Sequence, residues 1–391
     1  MCGEYGYDGV SFMNRLSMFV LGAASLFAQP KFEAEMIFTP ESIHNHSSSI
    51  VELKDGRLMV CWYRGSGERT ADDVTVEASF FEKGKWTPRV TIADTPGFPD
   101  TNPVLWVDRD KRLWLFWGLV IANEWETSLL KYYRADSGKM PFNWGDSIIL
   151  KPVKLAEKTE VAVEPLIKAG GPMAARATKL LELAKNKYSS RMGWFTRTHP
   201  VQLASGRMVV PLYSDGYSFG LMALSDDNGK TWFGSEPIVS WGGVQPSVVV
   251  KKNGDLVAYM RDNGPPPKRV LMSVSKDNGM SWSFAEDTEI LNSGTSVEVI
   301  ALRDGRWLMV NNDTEKGRNS LLASISDDEG KTWNWNRHIE KAEAGSYHYP
   351  SVIQAKDGMI HVTYSHFAPA GQPKAEGIKH AKFSVDWVTS K

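Results

Sequence analysis

Six times along this chain a short apolar run stops at a turn led by Asp, Asn or Ser and resumes as a second apolar run. The turns are Asp55-Gly56-Arg57, Asp110-Lys111-Arg112, Ser205-Gly206-Arg207, Asn253-Gly254-Asp255, Asp304-Gly305-Arg306 and Asp357-Gly358-Met359. Two β-prone runs around such a turn predict a hairpin, and six at mostly regular spacing predict a repeat fold. A second phrase follows each hairpin. It is complete at 225–232, 275–282 and 326–333, each reading Ser-x-Asp-x-Gly-x-Ser/Thr-Trp, with degraded copies at 79–86, 136–144 and 384–387. The Asp of this box caps turn amides, the Gly takes a backbone angle other residues resist, and the Trp plugs the gap between neighbouring sheets. Each repeat has room for four strands. Radial repetition of such sheets predicts an all-β fold, a six-bladed β-propeller of four-stranded antiparallel blades. The segment 35–38, ahead of the first hairpin, is the natural strand to close the ring onto the sixth blade.

Between the second and third hairpins the spacing lengthens, and 174–185 has helical composition with an apolar stripe. This predicts a helical insertion between blades 2 and 3, over 153–195. It either packs on the propeller flank or walls a pocket over the ring. One repeat pattern runs from about residue 35 to the end of the 391 residues, so 29–391 reads as a single propeller domain. Residues 1–28 read differently. Met13-Asn14-Arg15 followed by the apolar run 16–27 has the charged start and short apolar core of a secretory signal, with Met13 as the true start. The run is too short to span a bilayer, and the expected location is secreted or periplasmic in a bacterium.

The formal net charge of -1 offers no basic stripe for nucleic acid. Only Cys2 and Cys61 are present, which excludes a disulfide framework and a Cys-rich zinc site. Cys61 falls in an apolar strand pattern and reads as core. There is no phosphate loop, dinucleotide fingerprint or EF-hand spacing, so neither a cofactor nor a metal is expected.

The residue that opens the first strand of each hairpin is polar in all six repeats: Ser47, Asn102, His199, Gln245, Ser296 and Tyr349. A core column would carry Val or Ile, so this one is expected to face the mouth of the central channel, where a ligand binds. Hydrogen bonding to nearby backbone would account for Ser47 and Ser296, but not for Tyr349 and His199.

The boxes and hairpins together resemble the bacterial sialidase (neuraminidase) superfamily over nearly the whole chain after residue 28. The resemblance implies a Tyr nucleophile, and Tyr349, leading into Pro350-Ser351-Val352 and Asp357-Gly358, matches that run. A neutral nucleophile suits an anomeric carbon that bears a carboxylate. Two members of the family's arginine triad match Arg261 and Arg318, whose guanidiniums would grip that carboxylate. The family's general acid falls in the Gly-rich run 64–74, where Asp73 is the choice and Asp72 the reserve. Arg69 in the same run, with Asn102, His199 and Tyr347, is assigned to substrate. Two positions depart from the family. His46 stands where the first arginine belongs, and Gln245 stands where the glutamate that assists the tyrosine belongs. Gln cannot act as a base, so Tyr349 needs another helper, from His46, His199 or His348, or the chain handles a different acidic sugar.

The resemblance therefore implies an exo-acting glycoside hydrolase that releases a terminal acidic sugar from a glycan. The alternatives are a polysaccharide lyase or other glycosidase acting on uronates through a His/Tyr pair, and a non-catalytic carbohydrate-binding propeller. Hydrolysis needs Asp73 across from Tyr349, the lyase needs a His beside Tyr349, and the lectin needs neither.

Overall fold

The computed structural model describes residues 1–4, 6 and 31–390. The expected signal run, 13–28, lies outside the described residues. The rest forms six antiparallel sheets arranged as propeller blades. Blade 1 comprises His44–Glu52, Leu58–Gly65, Thr75–Glu82 and Lys85–Trp86, with Val90–Ala93 also on its third strand. Blade 2 comprises Asp100–Val107, Leu113–Val120, Ser128–Ala135 and Trp144–Ile148. In blade 3 the innermost strand is split into Phe195–Thr196 and Val201–Gln202, ahead of Met208–Ser214, Phe219–Ser225 and Phe233–Gly234. Blade 4 comprises Gly243–Val250, Leu256–Asp262, Arg269–Ser275 and Glu286–Leu291; blade 5, Glu298–Ala301, Trp307–Asn311, Ser320–Ser326 and Trp335–Lys341.

Blade 6 supplies only three strands of its own, Ser346–Gln354, Ile360–Phe367 and Glu376–Phe383. Its outer strand is Phe32–Met36, antiparallel to Glu376–Phe383 with Ala34 opposite Ala381. The pairing continues as Ile37 N–H donates to Ile378 O at 2.9 Å. The ring closes where the sequence placed it, a few residues earlier than 35–38. Closure turns two exposed edges into one ladder.

The second strand of each blade is buried on both faces, which is why runs such as Leu58–Cys61 and Leu113–Trp117 read as continuous rather than alternating hydrophobics. The core lies in wedges between adjacent blades. Cys61 and Trp117 share one wedge, between blades 1 and 2; Val209 and Ala258 share another, between blades 3 and 4; and Ile50 meets Ile378 where blade 6 returns to blade 1.

The boxes lock these wedges. Asp227 accepts hydrogen bonds from Lys230 N, Thr231 N and the hydroxyls of Ser225 and Thr231 at 2.6–3.0 Å, which holds its carboxyl down to about 2. Trp232 then meets Trp114 of blade 2 edge-on, with ring centroids 6.3 Å apart, and Trp333 meets Tyr259 of blade 4 in the same way.

The insertion between blades 2 and 3 is two helices, α1 (Leu155–Ala169) and α2 (Pro172–Lys185). The sequence pattern pointed only to the second. Leu155, Leu180 and Ala184 join a wedge containing Ile148, Trp194 and Leu212, so the pair is seated on the propeller.

The box glycines give a stability prediction. Gly330 has φ +81°, and a Cβ there would lie 2.2 Å from Tyr259 Oη and 3.0 Å from Trp307; Gly56 has φ +87° and nothing within 4 Å. Gly56→Ala should cost only the left-handed backbone term, about 1–2 kcal/mol. Gly330→Ala should cost that plus about 1–3 kcal/mol of overpacking. Urea unfolding of both variants measures the difference, and equal losses would remove the packing role given to the box glycine.

Candidate active site

Four of the six column residues share a backbone device. Ser47, Asn102, Gln245 and Tyr349 have φ of 55°, 48°, 57° and 58°, although none is glycine. Each sits where the inner strand slips register against its neighbour, between His46 and Ser49, Thr101 and Val104, Val244 and Ser247, and His348 and Ser351. A bulge with one left-handed residue re-aims a side chain out of the alternation of the strand. Each such residue costs roughly 1–3 kcal/mol and persists because the rest of the blade holds it.

Asn102, Gln245 and Tyr349 thereby converge with Arg261 and His46 on a cavity of about 330 Å³ at the channel mouth. At its centre Arg261 Nη1 donates to Tyr349 Oη at 2.6 Å, and Gln245 Nε2 reaches the same oxygen at 3.4 Å. Gln245 also donates to Tyr213 Oη at 3.1 Å, and Asn102 Nδ2 approaches that oxygen at 3.4 Å. Three guanidiniums surround the Tyr349 ring, with carbons 5.1 Å (Arg197), 5.7 Å (Arg318) and 5.9 Å (Arg261) from its centroid. The Nε of Arg261 is buried with no partner among the described residues, a donor left free for an anion.

Beneath this cluster lies a buried charge network that the sequence reading did not foresee. Arg197 donates to Pro350 O at 2.9 Å and approaches Ser48 O at 3.3 Å. His199, expected at the mouth, is instead locked inside the ring. Its Nδ1 donates to Glu298 Oε1 at 2.8 Å and its Nε2 to Ile50 O at 2.9 Å. Both ring nitrogens face acceptors, so the imidazole is a cation. Burial pushes its pKa down, but Glu298 outweighs that and the net shift is upward.

Other expected residues also stand elsewhere. Tyr347 packs in the wedge between blades 5 and 6: residues two apart share a face of a regular strand, but the bulge after His348 breaks that alternation and re-aims Tyr349 alone to the mouth. Asp73 is exposed and caps its own loop, accepting from Ser66 N at 2.8 Å and Ser66 Oγ at 2.5 Å. The Ser66 hydroxyl and amide hold its pKa down, the opposite of a carboxyl kept protonated by burial. Ser47 and Ser296, for which backbone hydrogen bonding was the alternative account, have buried hydroxyls with no partner among the described residues.

His46 lies where it was placed, with its ring centroid 4.3 Å from that of Tyr349 and its Nδ1 2.9 Å from Ser365 Oγ. Burial, followed by the nearby His348, His44, Arg318 and Arg197, keeps its pKa well below the ordinary value. It is a neutral imidazole and does not restore the charge of an arginine.

Arg69 lines the cavity as expected, and the structure adds Tyr63, Glu68, Trp125, Glu126, Asp215 and Asn263. Asp215, just past the second strand of blade 3, has its pKa raised by burial and by Glu126 against the pull of Arg261 and Arg69. Glu68 accepts from Tyr63 Oη at 2.8 Å and from His44 at 2.5 Å, while His44 also donates to Glu376 at 2.6 Å. A signal for part of this set was present in the sequence. Tyr63, Arg261 and Ser365 lie directly opposite His46, Val244 and His348, so they form a second column on the next strand. Among the described residues no cluster of three or more His, Cys, Asp or Glu could hold a metal ion, and no helix is long and apolar enough to cross a membrane.

A six-bladed propeller built on such boxes, with a tyrosine and arginines at its mouth, is the architecture of the sialidase superfamily. The BNR repeat-like domain model matches residues 56–180 and 184–362, and the chain belongs to that family. An anhydrosialidase of Macrobdella decora is 22% identical over 208 residues, 47% of this chain but only 27% of that protein. In the solved structures the same fold recurs at low identity. A protein of unknown function from Dyadobacter fermentans is 16% identical with a TM-score of 0.68, covering 90% of this chain and 98% of that one. The intramolecular trans-sialidase of Ruminococcus gnavus, in complex with oseltamivir carboxylate, is 13% identical with a TM-score of 0.66, covering 89% and 96%.

The His44 clamp makes a pH prediction. Flanked by two carboxylates, His44 has its pKa pushed up to about 9 from 6.5. A raised folded pKa stabilises fully below pH 6.5, and that stability is lost as pH rises through 9. The thermal midpoint should therefore fall between pH 6.5 and 9.5, and less steeply in His44→Gln, with His199 supplying the remaining slope. Parallel curves for the two proteins would discount the clamp.

Proposed function

We propose that this chain is a sialidase-type glycoside hydrolase that releases a terminal acidic sugar from a glycan outside the cytoplasm, with Tyr349 as nucleophile. The observation that carries the reading is the contact of Arg261 with Tyr349 Oη inside a ring of three guanidiniums. Arg261 and Arg318 receive the sugar carboxylate, which leaves the neutral phenol free of charge repulsion as it approaches the anomeric carbon. The superfamily's reliance on tyrosine is an exception among glycosidases.

Without a glutamate at Gln245, the phenolic proton needs another acceptor. His199 is already a cation and His348 bonds toward Ser346, which leaves the neutral His46. Entry of an anionic substrate offsets the surrounding cations and makes His46 a better base. The tyrosyl oxygen then bonds to the anomeric carbon as the glycosidic bond breaks. Asp215, with its raised pKa, donates the proton to the leaving oxygen in place of Asp73. Water completes the turnover by releasing the sugar from Tyr349.

A lyase remains the second reading, because His46 lies beside Tyr349 and Asp73 does not face the cavity. The deciding experiment incubates the protein with sialylated, uronate-containing and neutral glycans and identifies what is released by mass. A free acidic sugar supports hydrolysis. A sugar lighter by one water indicates intramolecular transfer, and an unsaturated product absorbing in the ultraviolet indicates elimination.

Two sets of variants follow. Tyr349→Phe should fold and bind sugar but lose turnover by at least about 100-fold, since only the hydroxyl is removed. Arg261→Ala should lose about 1.5–3 kcal/mol of binding for anionic sugars and little for neutral ones. Asp215→Asn should depress activity most on substrates with poor leaving groups, whereas Asp73→Asn should stay within about twofold of the parent. The reverse ranking would return the proton-donor role to Asp73.

A further inference from the structure

Beside the reaction cavity lies a second one, of about 280 Å³, that the proposed chemistry does not use. Its walls are Leu166 of α1, Met173 and Leu180 of α2, and Tyr217, Trp241 and Pro265 from blades 3 and 4. The two cavities share a wall. The turn after Met208–Ser214 puts Asp215 in the first and Tyr217 in the second, and the loop after Leu256–Asp262 does the same with Asn263 and Pro265. Asn263 Nδ2 approaches Asp215 Oδ1 at 3.5 Å across the two parts of that wall, and Asn263 N donates to Gly242 O at 2.8 Å. Ser218 within the turn is held at φ 57°, a strained conformation for a non-glycine residue.

The lining identifies an occupant. Trp241 and Met173 are 42% and 48% exposed, two large apolar side chains left open at one site. Tyr217 is 3% exposed and stacks on Trp194, with ring centroids 5.6 Å apart and planes within 6°. Its hydroxyl is buried with no hydrogen-bond partner among the described residues. A buried donor without an acceptor is costly, and a ligand oxygen would relieve it. Arg176 adds a further donor to the lining.

We propose that this cavity, walled by the helical insertion, is an aglycone subsite that takes a planar aryl group carrying an oxygen acceptor, stacked on Trp241 with its oxygen reaching Tyr217. The assignment to an aglycone rests on the proposed hydrolysis, because the group attached to the sugar would pass over the 215–217 turn. The occupancy by an aryl group does not.

The test uses free 4-methylumbelliferone and the whole protein, with binding followed by fluorescence. Saturable one-to-one binding is expected, weakened at least about tenfold in Trp241→Ala and about three- to tenfold in Tyr217→Phe. Tyr217→Phe should keep or raise the unfolding midpoint, since the lost hydroxyl has no partner, and Arg261→Ala should leave binding unchanged. No saturable binding, or one affinity across all variants, overturns the subsite. A second arm compares aryl and methyl glycosides of whichever acidic sugar is released, and Trp241→Ala should lower kcat/KM for the aryl glycoside alone. Binding without turnover keeps the aryl site and removes the hydrolase reading. Turnover without binding does the reverse.

Discussion

The mouth of this propeller depends on one buried carboxylate. Glu298 of blade 5 accepts from the backbone and ring of His199 in blade 3 and from Val352 N in blade 6, while His199 reaches on to Ile50 O in blade 1. Four blades are thus tied across the channel. Glu298 would be expensive to bury alone, and its pKa is nevertheless lowered, because the cationic His199 and Arg197 outweigh desolvation. With the ring pinned at this level, Arg197 is held under the Tyr349 ring, and the cavity above has a rigid floor.

On that floor the inner strands afford the strain of four left-handed residues. A regular strand would present Tyr349 and Gln245 in simple alternation with their neighbours. The bulges instead bring them together with Asn102 around two phenolic oxygens, and they leave Arg261 with a donor directed at no protein group. Charge is then divided within one small space. Guanidiniums crowd the tyrosine, whereas Glu68, Glu126 and Asp215 line the same cavity. Asp215 stays within the field of Arg261 and Arg69, yet burial and Glu126 still raise its pKa.

The boxes and the helices divide the remaining work. The boxes belong to the fold: their Asp, Gly and Trp residues stitch one blade to the one before it. The helices are seated on the same wedges but leave an apolar cavity next to the acidic wall of the site. An insertion that breaks the repeat thereby adds an apolar cavity beside the site while the blades keep their regular packing.

The repeat, the blade number, the closing strand and the buried Cys61 were legible in the sequence, because local turn chemistry and apolar runs determine them within a few residues. The convergence of Asn102, Gln245 and Tyr349 was legible for a related reason, since a column of polar residues where core is expected has few uses. The fates of His199, Tyr347 and Asp73 were not. His199 was claimed by a carboxylate 99 residues away, Tyr347 by a bulge that separates its phase from that of Tyr349, and Asp73 by a hydroxyl across its own loop. Asp215 and Arg197 gave no local signal, as each acquires its role from blades distant in sequence. Periodicity determines which residues share a face. Only the closed ring decides which charges meet, because charges act through space and the closed ring sets the distances between them.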